Sequence, residues 1–440
     1  MLTQSYPLRV GAWLIVNMLI AVVMERSYIV ATAQALIVVA LGIYWLLKDS
    51  TPRRVIYVTA YITGAELLWR TSDAIIFWEF GKYSVILLLL FSLFKHQRFF
   101  QSPKLPIAYF ILLIPSIALL TTFDREAIAF NLSGPLALVV TTIYFHHVKL
   151  TLGQLKRLLL VLLAPIIALA FIASISTITA ANLEFTASSA SRITSAGFGP
   201  NQVSSIFGLG IFAAYWYAIL EREHRLLRIF VILLAVWLVG QSMLTWSRGG
   251  LWTGLGSIAI ATLFLLRDRR SLGVVLTASA VIFLMSLFVV FPLLNDFTGG
   301  TLVERLRETD LTGRGLIMQA DLITFRQHPL FGVGPGQSAA FHAITFRYSA
   351  SHTEYTRLLS EHGSLGLIAL LLLILISIQR LFRDSSPLRQ SFTASATAWT
   401  LLYMVHAAMR LVAPAYIFGL GGIDIDPSEN EDGLSEDKTK

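Results

Sequence analysis

What most limits this chain is a succession of long apolar blocks, each near the roughly 17–25 residues a helix needs to cross a bilayer. About thirteen can be drawn between charges and turn residues, at approximately 8–24, 28–47, 55–70, 74–94, 105–121, 127–147, 158–181, 199–220, 227–246, 250–266, 273–293, 364–380 and 391–410. Backbone in lipid must satisfy its own hydrogen bonds, which continuous helices do. The blocks are too evenly apolar for barrel strands, which alternate. The expected fold is an all-α polytopic membrane protein of about 12–14 transmembrane helices. Charged residues make up only 14% of the chain, against about 25% in soluble globular proteins. A cytosolic enzyme, a disordered scaffold and a secreted disulfide module are thereby excluded. With no cysteine, zinc ribbons, thiol catalysis and disulfides go too.

The net charge of +8 reflects topology, and no nucleic-acid partner is expected. Basic residues gather on every second connection. They are Lys48, Arg53 and Arg54; Lys95, Arg98 and Lys104; Lys149, Lys156 and Arg157; Arg222, Arg225 and Arg228; Arg267, Arg269 and Arg270; and Arg380, Arg383 and Arg389. The intervening short loops hold about one each: Arg26, Arg70, Arg125, Arg192 and Arg248. The positive-inside rule makes the first set cytoplasmic, and with it the amino terminus. No cleavable signal peptide is expected, because the first span lacks a small-residue cleavage site and another span follows at once.

Four regions follow. Residues 1–293 form a helical bundle of about eleven spans, 294–363 an extracytoplasmic loop domain, 364–421 the last membrane helices, and 422–440 an acidic disordered tail. The loop's Leu316, Ile317, Ala320 and Ile323 recur at helical spacing, so it is expected to be folded and mostly helical. Leu411–Leu420 reads either as a re-entrant segment or as a fourteenth span returning the tail inside. Asp424-Ile425-Asp426 has a metal-binding D-x-D spacing, but among Glu429, Glu431 and Asp432 it reads as a solvated charge run.

Candidate chemistry lies on the outer side; there is no P-loop, HExxH, G-x-S-x-G or Rossmann fingerprint. Arg192 precedes Gly197-Phe198-Gly199-Pro200-Asn201, a turn that opens a helix. Free backbone N–H groups and a positive dipole end beside an arginine suit an anion; the plainer reading is a snorkelling interfacial arginine. Arg248, in Trp246-Ser247-Arg248-Gly249-Gly250, sits in a tight break between spans, where it is a functional candidate or a headgroup anchor. Arg314, in Thr312-Gly313-Arg314, opens an outer helix ending at His328-Pro329. Ser351-His352-Thr353-Glu354 has capping-box spacing, with Ser351 as N-cap and His352 at the first helical position. The helix dipole there disfavours imidazolium, which suits a general base; a surface hydrogen bond is the alternative. His328, His342 and His362 follow no metal-ligand spacing. Glu66, Arg70, Asp73, Glu79 and Lys82 cluster at the third-to-fourth turn, where i,i+4 and i,i+3 pairing accounts for them.

Taken in order, these motifs resemble the O-antigen ligase and O-antigen polymerase family of polytopic membrane glycosyltransferases. The resemblance rests on Arg192 with Gly197–Asn201, on Ser247-Arg248-Gly249-Gly250, and on Thr312-Gly313-Arg314. It continues through His328-Pro329-Leu330-Phe331-Gly332-Val333-Gly334-Pro335-Gly336 and His352 to Glu361-His362-Gly363-Ser364-Leu365-Gly366-Leu367. One departure is Thr353, where the family usually has Asn. The resemblance implies transfer of a glycan from a polyprenyl (undecaprenyl) diphosphate carrier to a glycan, lipid or protein hydroxyl, at the outer face of the plasma membrane. Members join O-antigen to the lipid A core of lipopolysaccharide, polymerise repeat units, or glycosylate proteins. They are inverting and use no metal or cofactor. On that pattern His352 is the general base, Arg192 and Arg248 hold the diphosphate, Arg314 holds the same anion or the glycan, and Glu361 supports the site structurally. The alternative is a transporter or flippase of lipid-linked glycan, which would use the Glu66–Lys82 charges. No internal repeat relates the halves of the chain, and its polar groups gather on one face rather than at mid-membrane.

Overall fold

The structure, a computed structural model, describes all residues except 1–4, 49–52, 99–100, 121–123, 182–184, 186–189, 268–270, 308–313, 346–349, 384–385 and 427–440. The first half contributes α1 (Ser5–Arg26), α2 (Tyr28–Lys48), α3 (Arg53–Thr71), α4 (Phe80–Lys95), α5 (Lys104–Ile111), α6 (Arg125–His146) and α7 (Leu152–Thr179). The second contributes α8 (Pro200–Leu220), α9 (Arg225–Leu244), α10 (Gly249–Leu265) and α11 (Leu272–Met285), which runs on into α12 (Phe291–Phe297). A lobe outside the bundle holds α13 (Thr301–Arg307), α14 (Arg314–Gln327) and α15 (Ser338–Thr345). The chain closes with α16 (Glu354–Leu381), α17 (Pro387–His406) and α18 (Ala413–Leu420).

The chain is thus an all-α, multi-pass membrane protein. Among the described residues, eight helices are long and apolar enough to cross a bilayer: α1, α2, α6, α7, α8, α9, the α11–α12 run and α16. The other five predicted blocks are helical but shorter or more polar. Residues 74–79 fold as turns, so the fourth block begins only at Phe80. The fifth breaks after Ile111 and resumes as a 3-10 turn at Pro115–Leu119, because proline supplies no N–H to continue the ladder. The hydrophobic α8 is buried along its whole candidate span, whereas only 17% of the α2 span is. Lipid therefore covers the periphery and side chains fill the centre.

Small residues set the central contact. A Cβ on Gly250 of α10 would lie 1.7 Å from the Ser204 carbonyl oxygen of α8, and one on Gly208 would lie 2.3 Å from the Gly250 carbonyl oxygen. The two backbones touch, as membrane helices do where side chains are small.

The lobe is held to the bundle by a break in α16. Gly363 adopts φ 60°, ψ −139° and divides that helix into an outer turn and a membrane segment. The His328–Gly336 motif wraps the break. The N–H groups of Val333 and Gly334 donate to the carbonyls of Ser360 and Glu361 at 3.0 Å, and Ser364 N–H donates to Pro329 at 2.7 Å. Gly332 has φ 69°, and a Cβ there would meet the Glu361 backbone at 2.3 Å. The outer segment is helical as expected, but α14 turns a different face inward. Ile317, Ala320, Asp321 and Thr324 are buried, and Leu316 and Ile323 are exposed. A carboxylate and a hydroxyl that bond within the lobe outweigh two leucine-sized side chains in choosing the face.

At the carboxyl end, α18 spans only eight residues, yet the run from Met409 to Asp424 follows α6 from Gly134 to Val148, just past its end, so Leu411–Leu420 crosses as a fourteenth segment rather than re-entering. Thr141 of α6 donates to the Ala415 carbonyl at 2.7 Å. The segment expected to be disordered from residue 422 is ordered at its start. Asp424–Asp426 form a strand parallel to Lys149–Thr151, with Lys149 and Asp426 paired at 3.2 Å. That puts Asp426 against Lys149, and Asp424 within 4.0 Å of Arg389, so both carboxylates face cations rather than forming a lone charge run. The rest of the tail, Glu429, Glu431 and Asp432 included, lies outside the described residues.

Gly250→Ala forces the α8 and α10 backbones apart. It is expected to destabilise the bundle by roughly 3 kcal/mol or more, read as loss of folded protein on fluorescence-detected size exclusion or a clearly lowered thermal midpoint. Wild-type stability of this variant would show that the contact is not as tight as described.

Candidate active site

Two of the sequence motifs close on one another at the mouth of the bundle. The chain reverses between α9 and α10 in a turn where buried Trp246 takes φ 60°, an uncommon conformation for a bulky residue. Gly199-Pro200-Asn201 opens α8 beside it. Ser247 Oγ donates to Asn201 Oδ1 at 3.1 Å, Ser204 Oγ donates to the Ser247 carbonyl at 2.7 Å, and Gly250 N–H donates to Ser204 Oγ at 3.0 Å. Arg248 is thus presented from a turn fixed on both sides. Arg305, from the lobe, reaches back and donates through Nε to the Trp246 carbonyl at 3.1 Å.

The segment carrying Arg192 docks on the same turn, since Ser191 N–H donates to the Thr245 carbonyl at 3.3 Å and Thr194 Oγ1 bonds that of Leu244. The Arg192 side chain itself is exposed. Its segment therefore adjoins the turn that carries Arg248. Arg314 opens α14 as expected; Thr312 and Gly313 before it lie outside the described residues.

Arg314 meets Arg305, Arg248 and Arg410 electrostatically, and burial together with those three like charges disfavours its own charge. Four guanidinium groups from three parts of the chain therefore share one field. His352 lies within it. Burial first, then Arg314 and Arg410, push its pKa from the ordinary 6.5 down to about 4, with Asp321 opposing in part. The ring is neutral, as expected, but for another reason. Thr353, not Ser351, caps α16, its hydroxyl accepting from Thr356 N–H at 3.1 Å, so His352 precedes the helix instead of occupying its first turn. Desolvation and neighbouring arginines replace the helix dipole as the cause.

Ser351 is engaged elsewhere. The Asp321 carboxylate, fully buried, accepts from Ser351 Oγ at 2.8 Å, Thr356 Oγ1 at 2.6 Å, Ser360 Oγ at 3.0 Å and His342 Nε2 at 2.9 Å. One carboxylate thus fastens α14, α15 and the start of α16 around His352. Beneath it, Arg357 bridges Glu354 at 2.9 Å and Glu361 at 2.8 Å, and Ser338 Oγ donates to Glu361 at 3.1 Å. These contacts tie Glu361 to α15 and to Arg357 of its own helix. His362 Nδ1 meets Ser116 Oγ at 2.6 Å, within the core.

Arg410 was invisible to motif reasoning, because it stood at the end of an apolar block and read as a span boundary. It is an arginine on a loop held at many points. Met409 N–H donates to Glu354 at 3.1 Å, Lys82 Nζ donates to the Met409 carbonyl at 3.3 Å, and Val412 N–H donates to Glu66 at 2.7 Å. Glu66 also pairs with Arg70 at 2.7 Å, and Glu79 pairs with Lys82. The charges at the third-to-fourth turn neutralise one another, and in doing so they position the 409–412 backbone. From it, Arg410 Nη2 donates to the Ser351 carbonyl at 3.1 Å, next to His352. A cavity of 650 Å³ opens beside this contact, lined by Phe77, Trp78, Phe130, Asn131, Ser351 and Arg410 among others. The signal available in sequence was a lone arginine inside an apolar run, the same signal that drew attention to Arg248.

Residues 230–371 match the family described as O-antigen ligase. That stretch is similar to the O-antigen ligase family. It contains Arg248, Arg314, His352 and Glu361, while Arg192 and Arg410 flank it. No curated protein matches the chain. The family supports a membrane glycosyltransferase of O-antigen ligase or polymerase type.

Two measurements check the geometry. Asp321→Ala strips four buried donors of their acceptor and is expected to cost about 3 kcal/mol or more, seen as rapid proteolysis of the lobe under conditions where the wild type is resistant. Histidine NMR of the ligand-free protein should show His352 titrating near 4. Its contribution to stability is complete above about pH 6.5 and is lost as pH falls toward 4; a midpoint near 6.5 would mean the ring is solvated.

Proposed function

We propose that this protein transfers a glycan from a polyprenyl diphosphate to an acceptor hydroxyl at the extracytoplasmic face of the plasma membrane, with its basic loops on the cytoplasmic side. The observation that carries the reading is a neutral imidazole set among clustered guanidinium groups, inside and beside the family match. Like charges gathered away from water call for an anion, and arginine forks match diphosphate oxygens in pairs.

The chemistry follows from that pairing. The acceptor oxygen attacks the anomeric carbon from the side opposite the diphosphate, with inversion. Its proton passes to a ring nitrogen of His352. The bond from the anomeric carbon to the diphosphate oxygen breaks, and its electron pair leaves with the diphosphate. Arg248, Arg314 and Arg410, with Arg192 at the rim, stabilise the charge that develops there, which is commonly the largest catalytic term. The same anion offsets the arginine field acting on His352, so donor binding raises the basicity of the ring when a base is needed. Guanidinium groups fill the role a divalent ion would otherwise take, and the reaction is metal-independent. Glycan hydroxyls meet the aromatic and amide lining of the cavity beside Ser351. The acceptor is a glycan, lipid or protein hydroxyl. A transporter reading would need the Glu66–Lys82 charges to be mobile, and their bonds to the 409–412 loop support a fixed role instead.

Purified protein incubated with lipid-linked glycan and acceptor is expected to form product, and chelator should not inhibit it. His352→Ala should lower transfer by about 10²–10⁴-fold while leaving carrier binding nearly intact, and Arg248→Ala should weaken both. Full activity of His352→Ala removes the general base; carrier flipping without transfer by the wild type favours the transporter.

A further inference from the structure

The arginine group has a second histidine beside it. His406 ends α17, and both of its ring nitrogens are buried without a partner among the described residues. The ring lies on the residue that follows Arg248, since a Cβ on Gly249 would come within 2.5 Å of its Cε1 and Nδ1 and 2.9 Å of its Nε2. Glycine at 249 is what admits the imidazole there. Arg314 acts electrostatically on this ring as it does on His352, so one guanidinium stands within reach of both histidines. Asn201 fixes the arrangement through both ends of its amide. Nδ2 donates to the His406 carbonyl at 3.1 Å, and Oδ1 accepts from Ser247, next to Arg248. Tyr403 packs on the ring, tilted, with centroids 5.5 Å apart.

We infer that His406 contacts the diphosphate of the donor as a neutral hydrogen-bond donor, on the side of the arginine group carried by α10 and α17. This rests on the glycosyl-diphosphate reading above. A buried N–H with no acceptor costs stability, and native proteins rarely leave one so. An anion oxygen held by Arg248 and Arg314 satisfies it. A neutral donor suits this place, because it adds a bond to the anion without adding charge to a group already rich in cations. In the transfer step the electron pair of the broken bond goes to the diphosphate and the acceptor proton goes to His352. His406 keeps its proton and shares it with the departing oxygen. The residue lies beyond the family match, which ends at 371, so its assignment comes from geometry alone.

The test uses the full-length protein with 15N-labelled histidine and inorganic pyrophosphate as probe, resonances being assigned with His406→Gln and His352→Ala. Pyrophosphate is expected to bind the wild type and to move the His406 and His352 resonances together. His406→Phe should weaken binding roughly tenfold, the scale of one hydrogen bond to a charged group, and His406→Gln, which keeps an N–H donor, should recover part of it. If the wild type binds pyrophosphate and moves His352 while the His406 resonance stays in place, His406 is a hydrated core residue, the inference fails and the glycosyl-diphosphate reading stands. Unaltered affinity in a folded His406→Phe would likewise remove His406 from the anion site. A wild type that binds no pyrophosphate overturns both readings.

Discussion

Bringing several guanidinium groups together at the edge of a membrane bundle is unfavourable, because they repel one another and each loses water. The structure answers with carboxylates that are not themselves at the cluster. Glu66 and Glu354 hold the backbone around Arg410, and Asp321 holds the elements around His352. These negative groups act through hydrogen bonds to the scaffold around Arg410 and His352.

The neutrality of His352 is a product of the same arrangement. Its position ahead of the α16 cap frees it from the helix and lets Arg314 and Arg410 reach it. Thr353, which takes the cap, does so through a hydroxyl that accepts the Thr356 N–H; an asparagine side chain can make the same kind of bond. The departure at 353 from the residue usual in the family is thus compatible with the same local fold.

The bundle was legible from block length and charge alternation, because both follow from the solvent a helix meets. Block ends were less legible. Pro115 and the turns at 74–79 shorten two blocks, and whether a short apolar run crosses or re-enters depends on neighbours that spacing does not reveal. At the site, Arg248 was readable as a charge in a break between apolar spans, and Arg314 and His352 from their places at helix starts in the outer loop. Arg410 and His406 fell at a presumed boundary and had no motif to mark them. Their significance comes from contacts with Ser351, Asn201 and Gly249, 59, 205 and 157 positions away, and no local pattern encodes partners at such distances. Asp321 was hidden for a related reason. Apolar spacing picked Leu316 and Ile323 for the inner face of α14, and a hydrogen-bonded carboxylate took the place instead.

The parallel pairing of Lys149–Thr151 with Asp424–Asp426 has a consequence for biosynthesis. It clasps a segment made early to one made late, and the α17–α18 connection made shortly before it delivers the last arginine and the second imidazole. Ribosomal products lacking that connection already contain His352 and Arg248, yet they lack the full complement of cations. A nascent chain therefore completes the arginine group only when its own synthesis is nearly over.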